Sequence, residues 1–511
     1  MNETHLDPVD ELVKILTSVD VKNADVTSAN SGANGIDLKP LTHVVRLVTP
    51  FSDKVPRQEG QPGVAALYNT IKGNIGGAAD GYVEEGKRGG QMTFAGVQSG
   101  SYYKSIYGEI AVTDEARYSS QIDLLASATV RAMIETKRNQ EKRFLFGRAT
   151  KASDIYATGR LTTTADGASG ASTPTPTLVS ATGGTIADGT YSVIAVALSG
   201  DAYSATKGYP VSAAGSFAAT AGSELLPTAA RPNGDGTTTA LKGGAAIKST
   251  AASSGALSTT NANKITATVA AVAGAVGYAW FVGASGSEVY QGTTSTNQAV
   301  FTKLQTGTQV AAANFTADNS AEPLAYDGIL TRIEATGSGA QLTTLAAGAT
   351  LTADGMGGVT QFSDLFSNWA VALDGYSPDY VMVSPKGQAT INSVILGGST
   401  PTTYLQASLS GESNLTAGKK VGTLYNPIMG VTVPVIVNPY LPNGMALFGC
   451  DSIPTVVPSP NSTPLSFRYR RDYWTNLWAR TSRREVPSVV VDGALTFEWL
   501  DGFGLVKNFA V

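Results

Sequence analysis

Apolar positions along this chain follow two rhythms, and the rhythm changes several times. After Asp7 and Pro8, an N-cap and a favoured first helical residue, Val9, Leu12, Val13, Leu16 and Val19 share one helical face. A second helical rhythm opens at the capping residues Thr113 and Asp114 and runs through Ile122, Leu125, Thr129, Ala132, Met133 and Thr136. Its far end carries Lys137, Arg138, Lys142 and Arg143, where the macrodipole favours cations, and Gly147 is a natural stop. So thin a stripe on a helix of about seven turns predicts an element lying across a sheet, not one inside a core. Two shorter helices follow near the C-terminal third. One places Phe362, Leu365, Phe366, Trp369 and Leu373 on a face; the other starts at Ser384 and Pro385 and carries Ala389, Ile391, Val394 and Ile395.

Alternation with period two marks the strands. "GTYSVIAVAL", "KITATVAAVAGAVGYAWFVGASG", "SEVYQGTTS" and "NQAVFTKL" are separated by Gly and Asn turns, which predicts a β-sandwich. The stretch 215–260 between them has the weakest signal and reads as a long loop. "DYVMV" (379–383) is a short buried strand, and "MGVTVPVIVNPY" and "GMALFG" are further strands. The segment 466–511 is strand-rich: "SVVVDGALTFEW" contains an Asp-Gly pair that predicts a hairpin turn, and the tail "FGLVKNFAV" is apolar enough to be packed. Residues 60–112 differ from all of these. Glycine-rich pieces, "NIGGAADG" and "EEGKRGGQ", alternate with "QMTFAGVQ" and "SYYKSIYGEIAV", predicting a long hairpin with little core of its own. Such a hairpin is marginal alone and needs a partner surface.

Composition sharpens the picture. Charged residues make up 15% of the chain, against about 25% in ordinary domains, and they fall further below that average in the 160-odd residues after the long helix. "STPTPT" and "NFTADNSAEP" read as linkers on either side of the sandwich. A formal charge of −4 and a pI near 5.4 argue against a dedicated nucleic-acid binder. A single cysteine, Cys450 in "ALFGCDSI", excludes an intrachain disulfide and reads as a small buried residue. No apolar run is long enough to span a membrane, and the acidic "MNETHLDPVDELVKIL" lacks a signal-peptide core, so synthesis in the cytoplasm is expected.

Candidate chemistry is sparse. His5 and His43 have no ligand partners at metal spacing, no Gly-Lys-Ser/Thr phosphate loop is present, and "GAAIKSTAASSG" lacks the flanking strand and helix. No catalytic residue, metal or cofactor is expected. Glu84, Glu85, Lys87 and Arg88 sit in the glycine-rich hairpin as candidates for contacts between subunits. The dense basic cluster is "SFRYRRDYWTNLWARTSRRE". Its Arg468, Arg470 and Arg471, interleaved with aromatics, are read as intersubunit partners of carboxylates, with weak contact to DNA as the other reading.

Taken in order, these stretches resemble the major capsid protein of tailed phages, the Hong Kong ninety-seven type of capsid fold. "YYKSIYGEIAVTDEARYSSQIDLLASATVRAMIETKRNQEKRFLFG" looks like the end of that family's extended loop and its spine helix. "YDGILTRI" and "LFSNWAVALDGYSPDYVMVSPKGQATI" look like the start of the following domain and the axial helix–strand–helix. "GVTVPVIVNPYLPNGMALFGCDS" and "DGALTFEWLDGFG" look like its closing strands. The resemblance implies an α+β fold in six parts. These are an N-terminal arm (1–59), an extended β-hairpin loop (60–112), and the spine helix with the first part of a peripheral domain (113–172). An inserted sandwich similar to immunoglobulin-like or fibronectin type III modules (173–318), an axial domain (319–465) and the peripheral domain's C-terminal strands (466–511) complete it.

It also implies a role without catalysis: a homo-oligomeric shell of pentamers and hexamers in a virion, closed around double-stranded DNA that is touched non-specifically. A separate scaffold, a portal and decoration proteins would be its partners, with assembly in the host cytoplasm and no membrane involved. The short N-terminus and the initiator-like Met1 point to a scaffold encoded apart from this chain. Two other readings stay open: an encapsulin-like compartment shell, and an adhesin or tail protein built of sandwich modules.

Overall fold

The computed structural model describes residues 25–26, 47–71, 85, 96–119, 123–149, 172–233, 237–258, 260–335, 338–355, 358–373, 375–396, 421–454, 463–480 and 482–511. The helix expected over 7–19, both histidines, and Glu84, Lys87 and Arg88 lie outside these residues.

The helical rhythm after residue 113 is broken into two helices. Asp114–Ser119 is the first, and Thr113 caps it by accepting from the Ala116 N–H at 3.3 Å. The long helix proper is Leu124–Phe146, and its N-cap is Asp123, whose carboxylate accepts from the N–H groups of Leu125 (3.1 Å) and Ala126 (3.2 Å). The expected single helix therefore starts a second time. Aspartate satisfies orphan N–H groups better than a threonine ten residues upstream can. At the other end Gly147 closes the helix with its N–H on the Arg143 carbonyl, as expected.

This helix crosses a four-stranded sheet. The strands, in spatial order, are Arg57–Glu59, Leu465–Leu477, Pro487–Phe497 and Lys104–Glu109. Contact is close enough that a Cβ on Gly108 would sit 2.5 Å from the Ala132 carbonyl oxygen, so only glycine fits there. Phe144 packs on Phe467 at 5.1 Å. The expected Asp492-Gly493 hairpin turn is absent: Pro487–Phe497 runs through it as one strand. Two tertiary contacts override the turn signal. The Asp492 carboxylate is held by Arg470, and the space above Gly493 is filled by Phe467, whose Cζ would lie 2.3 Å from an added Cβ.

The hairpin is shorter than 60–112. Its strands are Ala65–Ile71 and Gly96–Tyr102, which among the described residues pair with no other strand; Lys104–Glu109 already belongs to the four-stranded sheet. Ala111–Thr113 pairs with Arg484–Glu485 and Asp25–Val26.

A six-stranded mixed sheet forms the second α/β unit, in the order Gln341–Thr344, Gly504–Lys507, Met445–Gly449, Tyr380–Val383, Val431–Val437, Thr423–Asn426. Every residue of Tyr380–Val383 is buried, as its unbroken apolar run requires. The helix Thr360–Ala372 lays Phe362, Leu365, Phe366 and Trp369 on this sheet, with Phe362 and Phe366 edge-on to Phe448 at 5.2 and 5.7 Å. Ser384 caps Pro385–Leu396 by accepting from the Gly387 N–H at 3.0 Å. A boundary at 466 does not divide these units. The chain's last strand, Gly504–Lys507, returns to the six-stranded sheet between Gln341–Thr344 and Met445–Gly449, and Phe509 beyond it is fully buried.

Between the long helix and residue 325 lies the sandwich. Ala252–Leu257, Gly189–Leu198, Gly277–Gly283 and Val289–Thr294 form one sheet; Gln298–Phe301, Asn263–Thr268 and Thr177–Ile186 form the other. Trp280, Ile265, Val193 and Phe301 fill the space between them. Two expectations need correction. The stretch 215–260 is not a bare loop: it supplies the strand Ala252–Leu257, whose small residues ("ASSGAL") give no apolar alternation, and Leu225 and Ala245 to a second core. The strand division also differs from the immunoglobulin pattern. Here the first, fourth and seventh strands share a sheet, whereas the first and second do so in immunoglobulin domains.

The exit and return of the insertion are adjacent. The Gly328 N–H donates to the Gly147 carbonyl (2.8 Å), Glu322 N–H to the Arg148 carbonyl (2.9 Å), and Ala149 N–H to Asp327 Oδ1 (3.0 Å). The sandwich also leans on the body. Tyr203 and Val276 join the main core, Arg143 pairs with Asp201 at 2.6 Å, and Asn297 N–H donates to Asn508 Oδ1 at 2.9 Å.

Candidate intersubunit interface

The arginine cluster stands at the root of the hairpin. Leu465–Leu477 is buried at its start and exposed at its end, so its arginines occupy the transition from core to surface. Arg468 donates from one nitrogen to Glu498 (2.6 Å) and from the other to the Leu67 carbonyl (2.9 Å). Arg470 grips Asp492 from Nε (2.9 Å) and Nη2 (2.6 Å), reaches the Gly63 carbonyl (3.1 Å), and covers the Tyr103 ring at 5.1 Å. Tyr103 in turn donates to the Gln61 carbonyl at 3.0 Å; burial is the main cause that raises its pKa.

This geometry has a local cause. The ladder between Leu465–Leu477 and Pro487–Phe497 slips between Tyr469 and Arg471, leaving Arg470 as an extra, unpaired residue. Such a bulge twists the strand and re-aims side chains. Arg471 consequently lies elsewhere: its guanidinium covers the Trp474 ring at 4.5 Å.

Carboxylates that the sequence assigned to a neighbouring subunit are thus supplied, for Arg468 and Arg470, by Glu498 and Asp492 of the same chain. Both pairs lie within the sheet, and the same two arginines reach the hairpin root through the Leu67 and Gly63 carbonyls. Farther along, Arg480 joins Asp114 (3.1 Å) and Glu485, and Arg57 joins Asp472 while stacking between Phe467 and Tyr473. The cluster is therefore largely neutralised within the subunit, which removes most of the field a polyanion would feel. Among the described residues Arg471 has no carboxylate partner. Glu85, the described residue nearest the hairpin tip, is exposed.

Buried charges at two places were missed by sequence reasoning. Glu141, in the basic C-terminal half of the long helix, is fully buried. Its carboxylate accepts from Phe51 N–H (3.0 Å), Ser52 N–H (2.6 Å) and Asn438 Nδ2 (2.8 Å). It fastens the turn Ser52–Lys54 to the helix and to the six-stranded sheet; burial raises its pKa despite these bonds. The second is the pair Lys507–Glu334, with side chains only 7% and 3% exposed, where Glu334 also accepts from Gly274 N–H at 2.6 Å. That pair ties the last strand, the returning segment and the sandwich at one point. No local signal announces either, because the partners are remote in sequence.

Apolar side chains remain uncovered at two places. Val64 and Leu67 are exposed on the hairpin, and Tyr425, Ile428, Met429 and Val431 are exposed at the outer edge of the six-stranded sheet. Contiguous exposed apolar residues of this kind mark contact surfaces. Among the described residues no group of His, Cys, Asp and Glu is arranged to hold a metal, and no helix is long and apolar enough to cross a membrane. Cys450 is buried, its thiol pushed up to about 12 by burial.

No protein-family model matches the chain, and no curated protein matches it by sequence. Among solved structures it is similar to the capsid of a native GTA particle, at 9% identity and a TM-score of 0.40, over 95% of this chain and 100% of that one. It is also similar to Mycobacterium phage Bobi, at 8% identity and a TM-score of 0.39, over 94% and 98% of the two chains. The holo-SrpI encapsulin complex of Synechococcus elongatus matches over 36% of this chain and 56% of its own, at 13% identity and a TM-score of 0.22.

Proposed function

We propose that the chain is a major capsid protein, a self-assembling subunit of an icosahedral phage head that encloses double-stranded DNA, with no catalytic role. One observation carries this reading: a hairpin whose two strands pair, among the described residues, with no other strand is held at its root by Arg468 and Arg470, which donate to its Leu67 and Gly63 carbonyls from a sheet crossed by the long helix. Such an arm is marginal in isolation and gains its order from a second surface. The exposed Val64 and Leu67 on it, and Tyr425 and Val431 on the far sheet edge, are the apolar patches that neighbouring subunits would cover. Contacts around closed symmetry axes bury such patches on every copy at once.

In this reading Glu84, Glu85, Lys87 and Arg88 contact neighbours, while Arg468 and Arg470 aim the arm and Arg471 is left for contact outside the subunit. The sandwich is a decorating module threaded between Arg148 and Glu322. Scaffold, portal and decoration proteins would be its partners, with assembly in the host cytoplasm. Electron microscopy of the purified assembly tests the proposal: closed icosahedral particles that fill with DNA are expected. Fibres, or a persistently monomeric chain at high concentration, would overturn it, and small shells that load protein cargo would replace it with a compartment.

A further inference from the structure

A hollow of about 720 Å³ between the four-stranded sheet, the C-terminal half of the long helix and the sandwich has no part in the reading above. One wall is the strand Lys104–Glu109, of which Ser105, Ile106, Tyr107 and Glu109 line the space. That strand is the last of its sheet. It pairs with Pro487–Phe497 on one side and, among the described residues, with no strand on the other. An uncovered sheet edge presents a row of backbone donors and acceptors on which a further strand can add.

Five side chains specify what such a strand must carry. Lys142 lines the helix wall half-buried, and no carboxylate among the described residues forms an ion pair with it. Its neighbour Arg143 is met by Asp201 at 2.6 Å, so Lys142 is the cation of this wall that has no ion pair among the described residues. Burial, the largest cause, and the nearby Lys207 lower its pKa, while Glu135 and Asp201 act the other way and the Tyr440 ring lies 5.9 Å from the ammonium, so the charge is only partly compensated within the chain. Tyr326 also lines the hollow; it is 2% exposed, and its hydroxyl has no hydrogen-bond partner. A buried hydroxyl without a partner is costly and is normally met by one. At the mouth, Tyr107 and Trp478 are each about half exposed and form an apolar rim with Trp474.

We propose that this hollow is a docking groove for an extended acidic segment of a partner protein. The segment adds as a strand along Lys104–Glu109 and places a carboxylate on the Lys142 ammonium. Backbone bonds to the free edge supply affinity, the Tyr326 hydroxyl meets a backbone or side-chain acceptor, and the aromatic rim takes apolar side chains at alternate positions. Nothing in this depends on shell formation.

The test is a titration of the full, unassembled chain with a synthetic peptide alternating Glu and Val over about six residues, the length of a typical strand. Tryptophan fluorescence is the readout, since Trp474 and Trp478 line the groove while Trp280, Trp369 and Trp499 are buried. Saturable binding is expected, weakened about tenfold by Lys142→Met and about tenfold for a Thr-Val peptide, the loss of one charge-assisted bond. Lys142→Glu should transfer preference to a Lys-Val peptide, a swap that a misfolded variant could not show. Equal binding of acidic and neutral peptides, or an unaffected Lys142→Met, overturns the proposal. So does binding that appears only after residues 1–24 are removed, which makes the chain's own segment the occupant. Self-association abolished by Lys142→Met overturns it in favour of a second copy.

Discussion

Gly277–Gly283 and Leu465–Leu477 are both inner strands of four-stranded sheets, yet their surroundings differ. The first is buried at six of its seven residues. One face meets the second sheet of the sandwich through Trp280, and the other is covered by Leu225, Ala312 and Phe315 from flanking segments. The second strand starts in the core at Leu465 and ends exposed at Leu477, and its polar stretch is paired through Glu498, Asp492 and Asp472. Where the chain covers both faces of a strand, apolar packing alone holds it. Where one end is left for other contacts, arginine–carboxylate pairs fix its shape without closing the surface. Rigidity at an open edge is obtained by charge, rigidity in a closed layer by shape.

The largest effect expected from breaking this contrast is at Trp280. Its ring is fully buried against Phe301 and its Nε1 donates to Thr294 Oγ1 at 2.8 Å. Trp280→Ala should cost about 3–5 kcal/mol and leave a cavity in the sandwich. Calorimetry should show the loss in a β-type transition, while the arm's protection from proteolysis stays as it was.

A smaller effect is expected at the open edge. Arg468→Ala removes a half-screened partner of Glu498 and the bond to the Leu67 carbonyl, for about 1.5–3 kcal/mol. Proteolysis should then cut first within 60–102, and the sandwich transition should not move. Equal loosening of both regions would show that the arginines serve the whole body and not the arm.

The smallest effect concerns Glu141, a charge in a closed layer. Its native pKa lies above the ordinary 4.5, chiefly through burial, so the folded chain holds this proton more tightly than the unfolded one. The stabilising contribution is complete below 4.5 and is lost as pH rises through the native value. The stability of the parent chain relative to Glu141→Gln should therefore fall as pH climbs from 4.5. A difference independent of pH in denaturant titrations would show that the carboxylate is ionised in the native state at no cost.

Legibility in the sequence follows the same division. Phe362, Leu365, Phe366 and Trp369 announce their helix because a local period of 3.6 decides burial, and Ser384-Pro385 announces the next because a cap is a local contact. The alternating strands of the sandwich were legible for that reason. Asp492-Gly493 misled because the turn preference of two residues lost to Arg470 and Phe467, both more than twenty residues away. Ala252–Leu257 was silent because small residues can pair without signalling a face. The arginine cluster was visible as a cluster, but its partners were not. Arg468 meets a residue 30 positions on and another 401 positions back, distances at which composition carries no information.

The three hydrogen bonds, two between backbone groups and one to the Asp327 carboxylate, that join Gly147, Arg148 and Ala149 to Gly328, Glu322 and Asp327 have a mechanical consequence. Because both ends of the sandwich are clasped at one point, the module hangs on the body as a pendant and is not a link in its main line. Tension applied to the outer strands would be taken up across that clasp and shunted from one side of the loop to the other. The remainder would reach the long helix through the Arg143–Asp201 pair and the packing of Tyr203 and Val276 on the main core. A module of this kind can be tugged, bulked up or exchanged while the frame that holds it keeps its dimensions.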